Sequence, residues 1–122
     1  MSIASLVAAD RAVAAAQGAP LGWEATLRAA VRSGFLRRPW DGRLPAQGIS
    51  DLVEEIAAGP VLKLEVSEVR ARFHGTLGVV MSSCTWPDLG DDSVQVVRVY
   101  SLQERRWLCE YWQETRYTRP RW

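Results

Sequence analysis

The chain has 122 residues, 15 basic and 14 acidic, for a net charge of +1, and 48% of it is hydrophobic. That length fits one domain spanning residues 1–122, able to bury roughly two thirds of the surface its unfolded form would expose. Basic and acidic residues are interspersed, which excludes nucleic acid as the main partner because no block of like charge could follow a phosphate backbone.

The opening segment, MSIASLVAADRAVAAAQ, predicts a helix over 2–17, with Ile3, Leu6, Val7 and Val13 broadly on one side and Gly18 placed to end it. An acidic residue interrupts its apolar run and it lacks a basic leader, so it reads as neither signal peptide nor membrane span. A cytoplasmic protein with no membrane partner is the expectation. A second helix is predicted from about Trp23 to Arg32, with Glu24, Arg28 and Arg32 four apart on a solvated face and Ser33 and Gly34 at its end. FLRRPWDGRLPAQG then holds two prolines and two glycines and reads as a loop with a short extended piece. ISDLVEEIAAGP predicts a third helix, with Asp51 placed to cap three residues before Glu54, and Gly59 and Pro60 as the stop.

From Val61 the pattern changes to strands: VLKLEVSEVRARF, a turn at His74 and Gly75, then TLGVVMSSCTW. Pro87 to Asp92 is a loop of turn formers, and VQVVRVYSLQERRWLCEYWQETRY reads as two long strands joined by a short polar turn. Three helices followed by about four antiparallel strands is an α+β layout with the helices gathered on one face of the sheet.

The last hairpin supports a register. With Glu104 and Arg105 as its loop, Tyr100 faces Cys109, Arg98 faces Tyr111 and Val96 faces Gln113 on one face, with Leu102 and Trp107 beside the turn. The other face carries Val97, Val99, Leu108 and Trp112 together with Glu110 and Glu114. Neither face is simply polar, which predicts a helical layer on one side and a partner on the other. Cys84 and Cys109 sit inside predicted strands without metal-ligand spacing and are expected to be buried reduced thiols. No cofactor or metal is expected, because there is neither a Gly-rich phosphate loop nor a ligand cluster.

Four stretches carry a family likeness. ADRAVAAAQG resembles the first helix and closing glycine of the nuclear transport factor 2-like superfamily, in particular its small bacterial SnoaL-like and DUF4440-type proteins. RRPWDG…QGISDLVEEI is similar to that family's proline loop and short third helix, and HGTLGVVMSSCTW to the segment where a Leu-Gly pair begins a central strand. RRWLCEYWQETRY looks like the closing strand that starts at a Trp and reaches a Gln or His six residues later, here Trp107 and Gln113. The resemblance implies a cone: a curved antiparallel sheet wrapped around three N-terminal helices, a pocket at the open end, and a homodimer through the outer sheet face.

Members of that superfamily include isomerases, dehydratases, cyclases and epoxide hydrolases, so fold does not select a chemistry. Departures from the patterns of its branches do exclude some. The steroid-isomerase branch has a catalytic Asp just before the loop proline; the residue before Pro39 is Arg38, which cannot serve as the base. Ser33 and Gly34 replace the acidic residues many relatives carry at the end of the second helix, and the only histidine, His74, falls in a turn, which leaves the His-Asp pairing of the dehydratase branch hard to build.

Pocket candidates are Arg38, Trp40 and Asp41 of the proline loop, with Arg98, Tyr100, Tyr111 and Gln113 of the hairpin. The last four offer a fixed cation, two phenols and an amide, suited either to orienting a carboxylate or carbonyl ligand or to a dimer interface. Asp41 with Gly42 equally forms an ordinary turn. Glu110 and Glu114 are rim charges or, if their face lines the pocket, paired carboxylates. The six tryptophans suit a core or a cavity wall. Two functions follow: a small-molecule pocket in a homodimer, with or without lyase or isomerase chemistry, or a noncatalytic interaction module whose cone is filled. No catalytic residue is assigned.

Overall fold

The computed structural model describes residues 2–118; the basic segment RYTRPRW, which by sequence could dock on a partner, close the pocket or fray, continues past them, and its residues 119–122 lie outside the described residues. Helix α1 (Ile3–Ala16) opens with a reciprocal cap, in which the Ser2 and Ser5 hydroxyls each accept the other residue's backbone N–H at 3.1 Å. Its buried stripe is Leu6, Asp10, Val13 and Ala14, so the acidic residue of the Ala-rich run takes a core position.

Helix α2 (Trp23–Ala29) is shorter than the sequence predicts, because at Val31 the chain extends into strand β1 (Val31–Arg38). Pairing with a strand distant in sequence, together with the buried side chains of Val31, Phe35 and Arg37, outweighs the loop signals of Ser33 and Gly34. Arg32 thereby leaves the helix face: Glu24 and Arg28 still pair at 3.5 Å, while Arg32 pairs with Glu110 at 3.3 Å. Helix α3 (Ile49–Ala58) starts after Gly48, and Asp51 lies within its first turn, where a negative charge suits the helix dipole, instead of capping it.

Strands β2 (Glu65–His74), β3 (Leu77–Thr85), β4 (Asp92–Gln103) and β5 (Arg106–Thr118) form the antiparallel sheet the sequence predicts. Strand β1 joins it as a fifth, parallel member beside β5, giving a mixed sheet of order β1-β5-β4-β3-β2. The helices cover its inner face, where Leu6, Val13, Leu27, Val80, Val94, Val96, Tyr100 and Trp112 are buried together. Gly78 lets α1 approach: a Cβ there would come within 2.9 Å of Leu6 and 3.2 Å of Trp107. Among the described residues, no helix is long and apolar enough to cross a membrane.

The β4–β5 turn lies where expected, with Glu104 and Arg105 at φ 48° and 67°, the left-handed conformation of a two-residue hairpin loop. Near the turn the predicted register is observed, Leu102 opposite Trp107 and Tyr100 opposite Cys109. Glu110 is then an extra residue on β5: Val99 pairs with Tyr111, Arg98 with Trp112 and Val96 with Glu114. Because side chains alternate with a period of two, this bulge exchanges the faces of every later residue on β5. Trp112 and Glu114 therefore point inward with Arg98 and Tyr100, while Tyr111 and Gln113 point outward, which corrects the predicted face assignments.

Candidate functional site

Two charged groups occupy the inner face on either side of the Trp112 indole. The deeper one joins α1 to β4. Asp10 accepts hydrogen bonds from Arg98 Nη1 at 3.2 and 3.3 Å and from the Tyr100 hydroxyl at 2.6 Å. Arg98 and Asp10 are almost fully sealed, with side chains 1% and 5% exposed. Burial, reinforced by the Asp10 charge, raises the Tyr100 phenol well above its ordinary value, so it remains a donor. Among the described residues Arg98 Nε and Nη2 have no hydrogen-bond partner, and the guanidinium stacks on Trp112 with its carbon 4.1 Å from the ring centroid. Burial also pushes the neighbouring Cys109 thiol up to about 12. Charges cancel one to one in this group, and its members are packed into the core.

The second group lies toward the open end. Arg37, from β1, stands 5.0 Å from the same indole on its guanidinium carbon. Its Nη2 donates to both oxygens of Glu114 at 2.9 and 3.0 Å, and its Nε to Glu114 Oε2 at 3.3 Å. Nη1 donates to Gln47 Oε1 and to Glu55 Oε2, each at 2.7 Å. Glu114 also accepts from Trp112 Nε1 at 3.0 Å and from the Trp40 backbone N–H at 3.3 Å. Strand β1 and the proline loop thus converge on the Glu114 carboxylate, and helix α3 joins them through Glu55 on Arg37.

A cleft of about 240 Å³ opens above this second group, with Arg37, Glu55 and Glu114 as its polar floor and Trp40, Ile56, Leu62 and Trp86 among its apolar walls. A more open groove of about 480 Å³ runs beside Lys63, Trp86 and Asp92, but none of its lining residues is buried.

The predicted pocket residues are distributed unevenly. Trp40 and Asp41 line the cleft, with the Arg116 guanidinium 4.9 Å over the Trp40 ring. Asp41 is also the turn residue: it accepts from the Arg43 backbone at 3.0 Å and from its guanidinium at 3.0 and 3.1 Å, bonds that hold its carboxyl below the usual range. Arg38 is exposed, because alternation along β1 turns Arg37 inward in its place. Arg98 and Tyr100 lie in the sealed inner group. Tyr111 and Gln113 lie on the outer face, where the phenol donates to the amide at 2.8 Å. His74 is exposed at the end of β2. Glu110 projects to Arg32, away from Glu114.

Sequence reading passed over Asp10, Arg37, Gln47 and Glu55. One usable signal was present, since Asp10 is four residues after Leu6 and three before Val13, inside the apolar stripe. The other three converge through the bridge between Arg37 and Gln47 and the return of α3 onto β1, which no periodic pattern in the sequence marks.

No protein-family model matches this chain, and no curated protein matches it in sequence. Solved structures match it throughout. An NTF2-like protein from Cytophaga hutchinsonii superposes with a TM-score of 0.75 at 13% identity, over 90% of this chain and 93% of the other. A cystatin-like fold protein from Burkholderia xenovorans gives 0.76 at 12% identity, over 97% and 93%. A candidate dehydratase of the NTF2-like family from Streptomyces avermitilis gives 0.75 at 11% identity, over 93% and 94%. The chain thus has the nuclear transport factor 2-like fold, a scaffold whose members differ in chemistry.

Proposed function

We propose that this protein binds a compact, largely apolar small molecule in the cleft at the mouth of the cone, and that it does so as a homodimer paired through its outer sheet face. The observation that carries the reading is the convergence of a buried polar floor, Arg37 and Glu114, with aromatic and aliphatic walls in one concavity. Trp112, Arg98 and Tyr100 fill the cone beneath it, which confines the ligand to the mouth. At about 240 Å³ the cleft is smaller than the range of about 300–1,000 Å³ common for ligand pockets, so the ligand is small. Every polar group on the floor is engaged in holding another, an arrangement suited to orienting a ligand and not to shuttling its protons; binding is therefore the activity proposed.

The dimer is supported by the apolar row that crosses four strands on the outer face, Val79, Val99, Tyr111 and Leu36, flanked by the exposed Leu77 and Met81. Native mass spectrometry of freshly purified protein tests both halves. A dimer carrying a bound mass is the expected result. A Tyr111→Glu variant should weaken the dimer by about tenfold or more while retaining that mass, because unpaired carboxylates would be desolvated at the interface. A monomer, or a dimer that binds nothing in a fragment screen, would overturn the corresponding half.

A further inference from the structure

We infer that the ligand of the mouth cleft is an organic amine, bound as its ammonium; this rests on the reading of the cleft as a ligand site. The inference comes from which polar atoms on the floor are already used. The Arg37 guanidinium is largely committed: Nη1 donates to Gln47 and Glu55, and Nε and Nη2 face the Glu114 carboxylate, both of whose oxygens lie within 3.0 Å of Nη2. A ligand carboxylate, one of the groups that the hairpin residues suggest from sequence, would meet the carboxylates of Glu55 and Glu114 on that floor and be repelled.

The acceptor side is in surplus. Glu55 and Glu114 bring two negative charges against the single positive charge of Arg37. Of the other cations near the cleft, Arg43 is paired with Asp41 at 3.0 Å and Arg116, beside Trp40, with Asp92 at 2.7 Å, while Arg38, which shares a neighbouring groove with Trp40 and Glu114, is exposed to solvent that screens its charge. Glu55 is the reachable member. Its side chain is 42% exposed, and its two oxygens accept one protein bond each, from Arg37 at 2.7 Å and from Gln47 at 3.1 Å. An ionised carboxylate has about four acceptor positions, so room for a donor remains. An ammonium donates three hydrogen bonds and accepts none, which matches a floor rich in acceptors. The walls suit the same ligand, since Trp40 and Trp86 can cover its apolar body and indole faces attract cations.

Three probes of one shape separate the possibilities: cyclohexylmethylamine, cyclohexylmethanol and cyclohexanecarboxylate, titrated against the full chain with tryptophan fluorescence and calorimetry as readouts. The amine should bind about tenfold or more tighter than the alcohol, with the carboxylate weakest, and the preference should shrink at high salt. In Glu55→Gln, whose melting should stay close to that of the parent because the side chain is partly exposed, the amine should lose most of its advantage over the alcohol. If the alcohol or carboxylate equals the amine, the cleft stands as a ligand site and the amine assignment falls. If none of the three binds, the cleft itself is not the ligand site and both readings fall together.

Discussion

Two arginines flank one indole in this protein, and their surroundings differ in a way that separates architecture from opportunity. Arg98 stands 4.1 Å from the Trp112 ring, sealed with a single carboxylate, Asp10, and a phenol. Arg37 stands 5.0 Å from the same ring and holds two carboxylates, one buried and one reaching solvent. The inner pair ties α1 to the sheet, and its charge balances. The outer group ties β1, β5 and α3 together and leaves a net negative charge facing a cleft. Burial alone does not mark a functional charge; what distinguishes the outer group is an imbalance that a ligand could complete.

Removing one inner partner should have the largest effect. Asp10→Ala leaves Arg98 buried without its counter-ion and the Tyr100 hydroxyl without its acceptor, and should destabilise the fold by about 3–5 kcal/mol in denaturant melts. Replacing both charges, Asp10→Leu with Arg98→Met, should recover most of that loss, because a buried pair returns little beyond its own desolvation. Failure of the double variant to recover would show that the inner group does more than fill the cone.

Glu114→Ala probes the outer group and should cost less, about 1–3 kcal/mol, since Arg37 keeps Glu55 and Gln47 while losing its bidentate partner. A loss as large as that of Asp10→Ala would erase the contrast between the two regions.

The smallest effect concerns the thiol beside the inner group. Burial keeps Cys109 protonated to about pH 12 in the folded protein, whereas the unfolded thiol ionises near its ordinary value of 9.0. A raised pKa means that stability is fully present below about pH 9 and is lost as pH rises toward 12; the loss should reach about 1–2 kcal/mol by pH 10. Native Cys84 and Cys109, both buried, should resist alkylation at pH 8 and react once urea unfolds the chain. Prompt native reaction would show that the inner region is open.

Much of the fold was legible in the sequence because its signals are local. Helix α1 ends just before Gly18, although Ala19 and not the glycine takes the left-handed conformation (φ 50°); Gly59 and Pro60 stop α3, and the polar cluster at Glu104 and Arg105 places the hairpin turn. The alternation in β2 to β5 likewise declared four strands. Trp40 and Asp41 of the cleft could be nominated from the proline loop alone.

Only the tertiary structure decided the rest. Strand β1 forms where Ser33 and Gly34 suggest a break, because β5 offers it a parallel edge more than 70 residues away, as the pairing of Val31 with Cys109 shows. The same strand chose Arg37 over Arg38 by facing one of two adjacent arginines inward. At Glu110 a single extra residue inverted the faces of β5, sending Tyr111 and Gln113 out and bringing Trp112 and Glu114 in. Composition and periodicity determined which elements the chain would form, since those depend on residues close in sequence; the membership of the site depended on strand register, which with a period of two changes face at a one-residue bulge that no local preference announces.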